Sequence, residues 1–441
     1  MTLDFEILIV GAGPAGCAAG YDLASAGKHV LLLDKSRFPR HKPCACGLTQ
    51  KTLKALRYSV DPVIERVCSE IVLEPTRTPD SAWNAEPAGR PEPAKPPSPA
   101  DRTRPAPSPD TGSTSPLRLS SSSPICAMAV RERFDAFCLR QTLASARNGG
   151  AISLRQIRRI AALREGPEYV EVDVEHTQDR ETRTDTYRAP ILIGADGANG
   201  QTRRLAGQYS SAAGRTITSF EQDGFALEAT VPYSALPESL PGGRSPQDLV
   251  FDFTPLRGGY GWLFPKADHV NIGVGAFAAA HGIGSRTLNQ ITRELLRSYA
   301  QQKLGVATLT HITGQQLGMG GHNYIPKGRV LLTGDAAGLV DPLTGEGIHS
   351  AIVSGQAAAA AILEFPEAER SSEVAAAYAR HLSPLQRTLS FSMRAAQAFH
   401  TRPERGFKAM RTPWMRSLIL KTYAEGIPYT RLLTAMAKWI T

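Results

Sequence analysis

Gly11-Ala12-Gly13-Pro14-Ala15-Gly16 follows the apolar run Ile7–Val10, and Asp34 closes a second apolar run, Leu31-Leu32-Leu33. A Gly-x-Gly-x-x-Gly turn between a strand and a helix can seat a pyrophosphate. The glycines let the chain turn tightly and let its backbone approach the anion, while free N–H groups at the helix start face it. An acid at the tip of the following strand accepts hydrogen bonds from an adenosine ribose. Gly11, Gly13, Ala15, Gly16 and Asp34 are therefore the expected contacts of an adenine dinucleotide.

Two later segments repeat the strand-to-acid theme. Ile191-Leu192-Ile193 runs into Gly194-Ala195-Asp196-Gly197. Val330-Leu331-Leu332 runs into Thr333-Gly334-Asp335-Ala336-Ala337-Gly338, and Asp341-Pro342-Leu343-Thr344-Gly345-Glu346-Gly347-Ile348 opens an alanine-rich helix. The chain thus leaves its first domain and returns to it twice. Two further stretches stand out: Pro39-Arg40-His41-Lys42-Pro43-Cys44-Ala45-Cys46-Gly47-Leu48 and Gly259-Tyr260-Gly261-Trp262-Leu263-Phe264-Pro265-Lys266. Tyr260, Trp262 and Phe264 alternate, so as a strand they share one face.

Together these segments resemble the FAD-dependent oxidoreductases of the para-hydroxybenzoate hydroxylase superfamily. Within it they are most similar to the geranylgeranyl reductase family, over residues 4–365 and in matching order. The resemblance implies FAD, with Asp335 toward the ribityl chain and Gly347 and Ile348 at the flavin's pyrimidine edge. There the positive end of a helix stabilises the negative charge of the reduced ring. It implies a flavin-facing loop at Cys44, Ala45 and Gly47, with Cys46 at a position that varies in the family. It also implies a guanidinium on the pyrophosphate, from Arg131 or alternatively Arg133. Tyr260, Trp262, Phe264 and Pro265 would wall an apolar substrate channel. The implied reaction is saturation of carbon–carbon double bonds in a prenyl chain on a lipid, diphosphate, chlorophyll or quinone. Cys46 and His349 are the candidate proton donors. Gly318-Met319-Gly320-Gly321 precedes a strand rather than following one, so no second nucleotide turn is read, and the reductant is expected from outside, as NAD(P)H or ferredoxin. An FAD-dependent monooxygenase or halogenase is the alternative enzyme, and a prenyl-binding carrier the non-enzymatic alternative.

These residues need an α/β fold: a Rossmann-like FAD-binding domain, an interleaved mixed β-sheet substrate domain and a C-terminal helical region. The expected divisions are 1–70, 125–200 and 329–365 for the FAD-binding domain, 201–328 for the substrate domain and 366–441 for the helices. Residues 75–124 hold 13 prolines and few large aliphatics, so they are expected to be disordered. Six cysteines show no metal or disulfide spacing. Cys17, Cys68, Cys126 and Cys138 are expected in cores, and no metal is expected. With no signal peptide and no long uncharged apolar stretch, a cytoplasmic location is expected. Of the formal charge of +9, most sits after Phe391, where nine Lys or Arg face two acids among Trp, Tyr and Leu. That mixture suits helices lying on an anionic membrane surface, or a helical cap packed on the catalytic domain. It does not suit nucleic-acid binding.

Overall fold

The computed structural model describes residues 4–75, 115–178, 181–207, 224–253, 255, 258–277, 285–365, 371–401 and 403–427. Ile7–Val10 is buried at every position and lies at the centre of a five-stranded parallel sheet. His29–Asp34 pairs on one side and Ile191–Gly194 on the other. Ala151–Gln156 and Val330–Leu332 form the edges. Strands covered on both faces need no alternation, and that is why three distant runs of Ile, Leu and Val meet here. Since all five run the same way, the turns after Val10, Asp34, Gly194 and Leu332 emerge on one sheet edge. Open α/β sheets bind ligands at that edge. Helices Pro14–Ser25 and Ile348–Glu364 pack together. Their approach is so close that a Cβ on Gly355 would lie 2.2 Å from the Ala15 carbonyl oxygen.

The second large unit is a seven-stranded sheet, ordered Thr313–Leu317, Gly224–Pro232, His269–Phe277, Gly259–Pro265, Val250–Asp252, Glu70–Glu74, Leu117–Ser120. Its register sorts the side chains into two faces. Leu227, Ala229, Ile272, Val274 and Leu263 pack under the helix Ser285–Leu304, with Leu296, Tyr299, Ala300 and Leu304. On the other face Glu228 pairs with Gly273, and Gly273 with Trp262; Ala226 pairs with Gly275, and Gly275 with Tyr260. That face looks toward the parallel sheet. Among the described residues two smaller sheets complete the β structure: Gly47–Thr49, Cys126–Ala129 and Ile64–Cys68; and the meander Arg159–Glu165, Val170–Gln178, Glu181–Ala189.

Two expectations change. The Pro-rich stretch is not unstructured to residue 124: Leu117–Ser120 is a strand, pairing antiparallel with Glu70–Glu74. Its alternation buries Leu117 and Leu119 and exposes Arg118 and Ser120, a pattern that the surrounding prolines obscure. Residues 76–114 lie outside the described residues. The large sheet therefore draws two strands from outside 201–328. The second change concerns the C-terminal helices, Ser371–Thr401, Pro403–Met410 and Pro413–Ala424. Phe407, Ile419, Leu420 and Tyr423 pack against a cluster holding Ile125, Trp262 and Phe264. These apolar groups face inward as a cap and are not free to enter a bilayer; residues 428–441 lie outside the described residues. Among the described residues no helix is long and apolar enough to cross a membrane.

Candidate active site

One cavity of about 700 Å³ runs between the two large sheets. The parallel-sheet turns supply Gly11, Gly13, Ala15, Asp34 and Asp335 to its wall. The loop after the second strand supplies Cys44, Ala45, Cys46 and Gly47, and the start of the alanine-rich helix supplies Gly347 and Ile348. Tyr260, Trp262 and Phe264 enter from the large sheet, and Tyr423 closes over them from the last described helix. Three chain segments far apart in sequence therefore meet at one cleft.

At the dinucleotide end each glycine has a different reason. Gly11 has φ +101°, and a Cβ there would sit 2.3 Å from the Ala195 carbonyl oxygen. Gly16 does not line the cavity. A Cβ on it would lie 1.8 Å from the Gly11 carbonyl oxygen, so Gly16 seats the helix against the turn. Gly13 is open: a Cβ would meet only Arg40 Nη2, at 3.6 Å. The space beside Gly13 belongs to the cavity, as a pyrophosphate would require. Asp34 accepts the Ala12 N–H through Oδ2 and the Ser36 N–H through Oδ1, both at 2.7 Å. These bonds orient the carboxylate and leave lone pairs for a ribose.

Arg131 lines the cavity and is bidentate to Asp135, at 2.9 and 2.8 Å. Arg40, also on the wall, reaches the same carboxylate at 3.0 Å. Two guanidiniums on one carboxylate leave a net positive charge beside Gly13, which fits a pyrophosphate. Arg133, the alternative, is 61% exposed, pairs with Glu65 and does not line the cavity. Arg40 escaped sequence reasoning because a lone arginine in a loop has no spacing to mark it.

The Cys44–Gly47 loop is tied from behind. Lys266, 2% exposed, donates through Nζ to the carbonyl oxygens of Ala45 (2.6 Å) and Ala129 (2.8 Å) and more weakly to Cys46 (3.4 Å). Burial pushes the lysine's pKa down. Glu228 accepts the Cys44 N–H at 2.8 Å. Cys46 takes φ 48°, and its N–H donates to Cys44 Sγ at 3.3 Å. Burial, then the neighbouring Cys44, pushes the Cys46 thiol well up, so it stays protonated. Lys266 and Glu228 were both missed. Lys266 ends the Gly259–Lys266 motif, but nothing in the sequence says that its ammonium turns inward.

Besides Gly16, two expected site residues stand elsewhere. Pro265 is buried but does not line the cavity: it follows Phe264 onto the opposite face of the strand. His349 does not line it either. It sits behind Glu346, whose carboxylate is held by Lys51 at 2.5 Å and by the hydroxyls of Thr49 (3.0 Å) and Thr52 (2.9 Å). Burial, reinforced by Lys51, lowers the His349 pKa to about 4. A neutral imidazole outside the cavity is not a proton donor to it, so that expectation is corrected. A pH effect follows. Between about 6.5 and 4 the unfolded chain binds a proton at this histidine and the folded chain does not, so stability falls as pH falls through that window. The full loss is on the order of 3 kcal/mol. His349→Asn should flatten this limb of denaturant-derived stability against pH; an unchanged limb would sink the assignment.

The FAD binding domain family model matches residues 4–67. A menaquinone reductase of Mycolicibacterium smegmatis is 28% identical over 376 residues, 80% of this chain and 75% of that one. Digeranylgeranylglycerophospholipid reductase 1 of Methanopyrus kandleri is 26% identical over 376 residues, 84% of this chain and 83% of that one. The crystal structure of a geranylgeranyl bacteriochlorophyll reductase-like protein from Thermoplasma acidophilum shares the fold. Its TM-score is 0.68 at 18% identity, over 98% of both chains. The FAD binding domain match takes in the glycine turn and Asp34, and over most of its length the chain is similar to reductases named for geranylgeranyl and menaquinone substrates, with which it shares the fold of an FAD-dependent oxidoreductase.

Proposed function

We propose that the protein saturates carbon–carbon double bonds of a prenyl chain, with FAD as the hydride carrier and NAD(P)H or a ferredoxin as external reductant. The observation that carries this reading is the continuity of the cavity. It passes from the open side of Gly13, past Asp335 and the Cys44–Gly47 loop, to an apolar arm walled by Leu249, Phe251, Trp262, Phe264 and Tyr423. An isoprenoid offers no polar handle, so only apolar burial can hold it, at about 25 cal/mol per Å².

Gly11, Gly13, Asp34, Arg40, Arg131, Asp335 and Gly347 are the residues that would hold the cofactor. When bound, the flavin supplies a hydride. The residues around it bind, orient and exclude water. Arg40 and Arg131 neutralise the pyrophosphate. The backbone at Gly345–Ile348, at a helix start, favours the anionic reduced ring. Tyr260 donates to the Thr344 carbonyl oxygen and so ties the aromatic wall to that helix start. Trp262 donates its indole N–H to Asn271 Oδ1 at 2.8 Å, which fixes the ring over Gly273. Outside this site Arg405, Lys408, Arg416 and Lys421 are exposed, with Trp414 at 47%. They support peripheral contact with anionic lipid, to be read as co-sedimentation with phosphatidylglycerol vesicles that is lost in high salt.

The deciding experiment is anaerobic. Enzyme reduced with dithionite is mixed with digeranylgeranylglycerophospholipid, geranylgeranyl diphosphate or a menaquinone. Reoxidation of the flavin by one of these, with a product heavier by two hydrogens per double bond, is expected. Flavin that reoxidises only with oxygen, yielding a hydroxylated product, would overturn the reading in favour of a monooxygenase.

A further inference from the structure

We propose that Glu228 is the acid that protonates the double bond during its reduction. The assignment rests on the reductase reading above. An isolated alkene accepts hydride poorly, so a proton has to reach the second carbon as the first is attacked.

The cavity wall carries the carboxyl groups of Asp34, Asp196, Glu228, Asp335 and Glu346. Asp34 is fixed by the N–H groups of Ala12 and Ser36. Asp196 accepts the Thr202 N–H and hydroxyl, both at 2.9 Å, and caps the helix Thr202–Ala206. Glu346 is neutralised by Lys51. Asp335 belongs to the parallel-sheet turns, within the field of Lys42. Glu228 alone comes from the large sheet, in the same cross-strand row as Trp262, on the wall of the apolar arm. It is 7% exposed.

Its surroundings suit a group that must exist both as acid and as carboxylate. Oε1 accepts the Cys44 N–H. Asn271 also hydrogen-bonds Glu228. Because Asn271 Oδ1 is already occupied by the Trp262 indole, its amide N–H is the group left to donate. Burial pushes the Glu228 carboxyl up, and these two donors act against that. The positive charges of His41 and Lys266 act on it in the same direction as these donors, and neither forms an ion pair with it among the described residues. Lys266 is spent on backbone carbonyls. His41 is exposed at the cavity rim.

A two-electron-reduced flavin held in the cavity would supply the hydride to one alkene carbon, and Glu228 would give its proton to the other, the π pair forming that second C–H bond. The carboxylate left behind is held by the Cys44 N–H and Asn271. A proton from water then restores the acid.

Glu228→Gln keeps the size of the side chain and the acceptor for Cys44 but carries no acidic proton. In infrared spectra of the apoprotein, a protonated-carboxyl C=O band should vanish in this variant. Flavin affinity should stay within about threefold. Single-turnover reoxidation by digeranylgeranylglycerophospholipid or geranylgeranyl diphosphate should slow about 10²- to 10³-fold and lose its pH dependence. Glu228→Asp should restore part of the rate with a displaced pH profile. A Gln variant within threefold of the wild-type rate, with the same pH profile, would overturn the assignment while leaving the reductase reading intact. A wild-type enzyme that no prenyl probe reoxidises would remove both.

Discussion

Lys266→Met is expected to strip the protein of FAD while leaving most of the fold standing. Methionine is close to lysine in length, so the loss is chemical. Lys266 Nζ bonds the carbonyl oxygen of Ala45, within the Cys44–Gly47 loop, and that of Ala129, on the strand behind it. Each buried acceptor left without a donor costs about 1–3 kcal/mol. Against that, the variant no longer desolvates an ammonium, a cost visible in the lowered pKa of Lys266. The two effects partly cancel, and a net destabilisation of about 2 kcal/mol is expected by chemical denaturation. The loop does not share in that cancellation. Cys46 holds a positive φ, which a non-glycine residue adopts only when its surroundings enforce it. Without the tether the loop relaxes, and flavin affinity should fall about 100-fold, or 2.7 kcal/mol. Flavin retention equal to wild type in Lys266→Met would mean that Glu228 and the antiparallel pairing of Gly47–Thr49 with Cys126–Ala129 suffice to hold the loop.

The parts of this molecule legible in its sequence are those where one local rule dominates. Buried parallel strands read as unbroken Ile-Leu-Val runs, and Gly-x-Gly-x-x-Gly plus a downstream acid reads as a nucleotide turn. Tyr260, Trp262 and Phe264 were legible because strand periodicity alone puts them on one face. The unread parts depend on partners distant in the chain. Glu228 is an acid in an otherwise ordinary strand, and its meaning comes from Cys44, 184 positions away. Lys266 looks like a solvent-facing strand end until the carbonyl oxygen of Ala45, 221 positions away, is seen to accept its hydrogen bond. His349 failed for the converse reason. It follows the cavity-lining Gly347 by two residues, and on a helix that spacing turns the side chain to another face. Leu117–Ser120 was hidden because proline content averaged over the whole segment outweighed four alternating residues. In the C-terminal region composition could not separate a membrane face from a cap, since both require basic residues mixed with large apolar ones. Packing of Phe407 and Tyr423 with Trp262 and Phe264 separates them for those two residues.

Gly13→Val and Gly16→Ala are expected to fail in opposite ways, although both alter the same turn. A Cβ on Gly16 would lie 1.8 Å from the Gly11 carbonyl oxygen, a backbone atom that cannot swing aside. Either the helix Pro14–Ser25 lifts off the sheet or the turn deforms. Overpacking of this kind costs about 1–3 kcal/mol, and more where the backbone must move. Gly16→Ala should therefore lower the unfolding midpoint of the apoprotein and its flavin content together. Gly13 has φ −81°, open to any residue, and no atom nearer than 3.6 Å to the site of its missing Cβ. A valine there is tolerated by the fold but projects toward the space between the turn and Arg40, where the pyrophosphate is expected. Gly13→Val should unfold as the wild-type apoprotein does, within about 0.5 kcal/mol, yet bind FAD at least 100-fold more weakly by fluorescence titration. The contrast separates a glycine kept for packing from a glycine kept for a ligand. If Gly13→Val bound FAD normally, the anion would have to lie elsewhere, and Arg40 and Arg131 would lose their assigned charge partner with it.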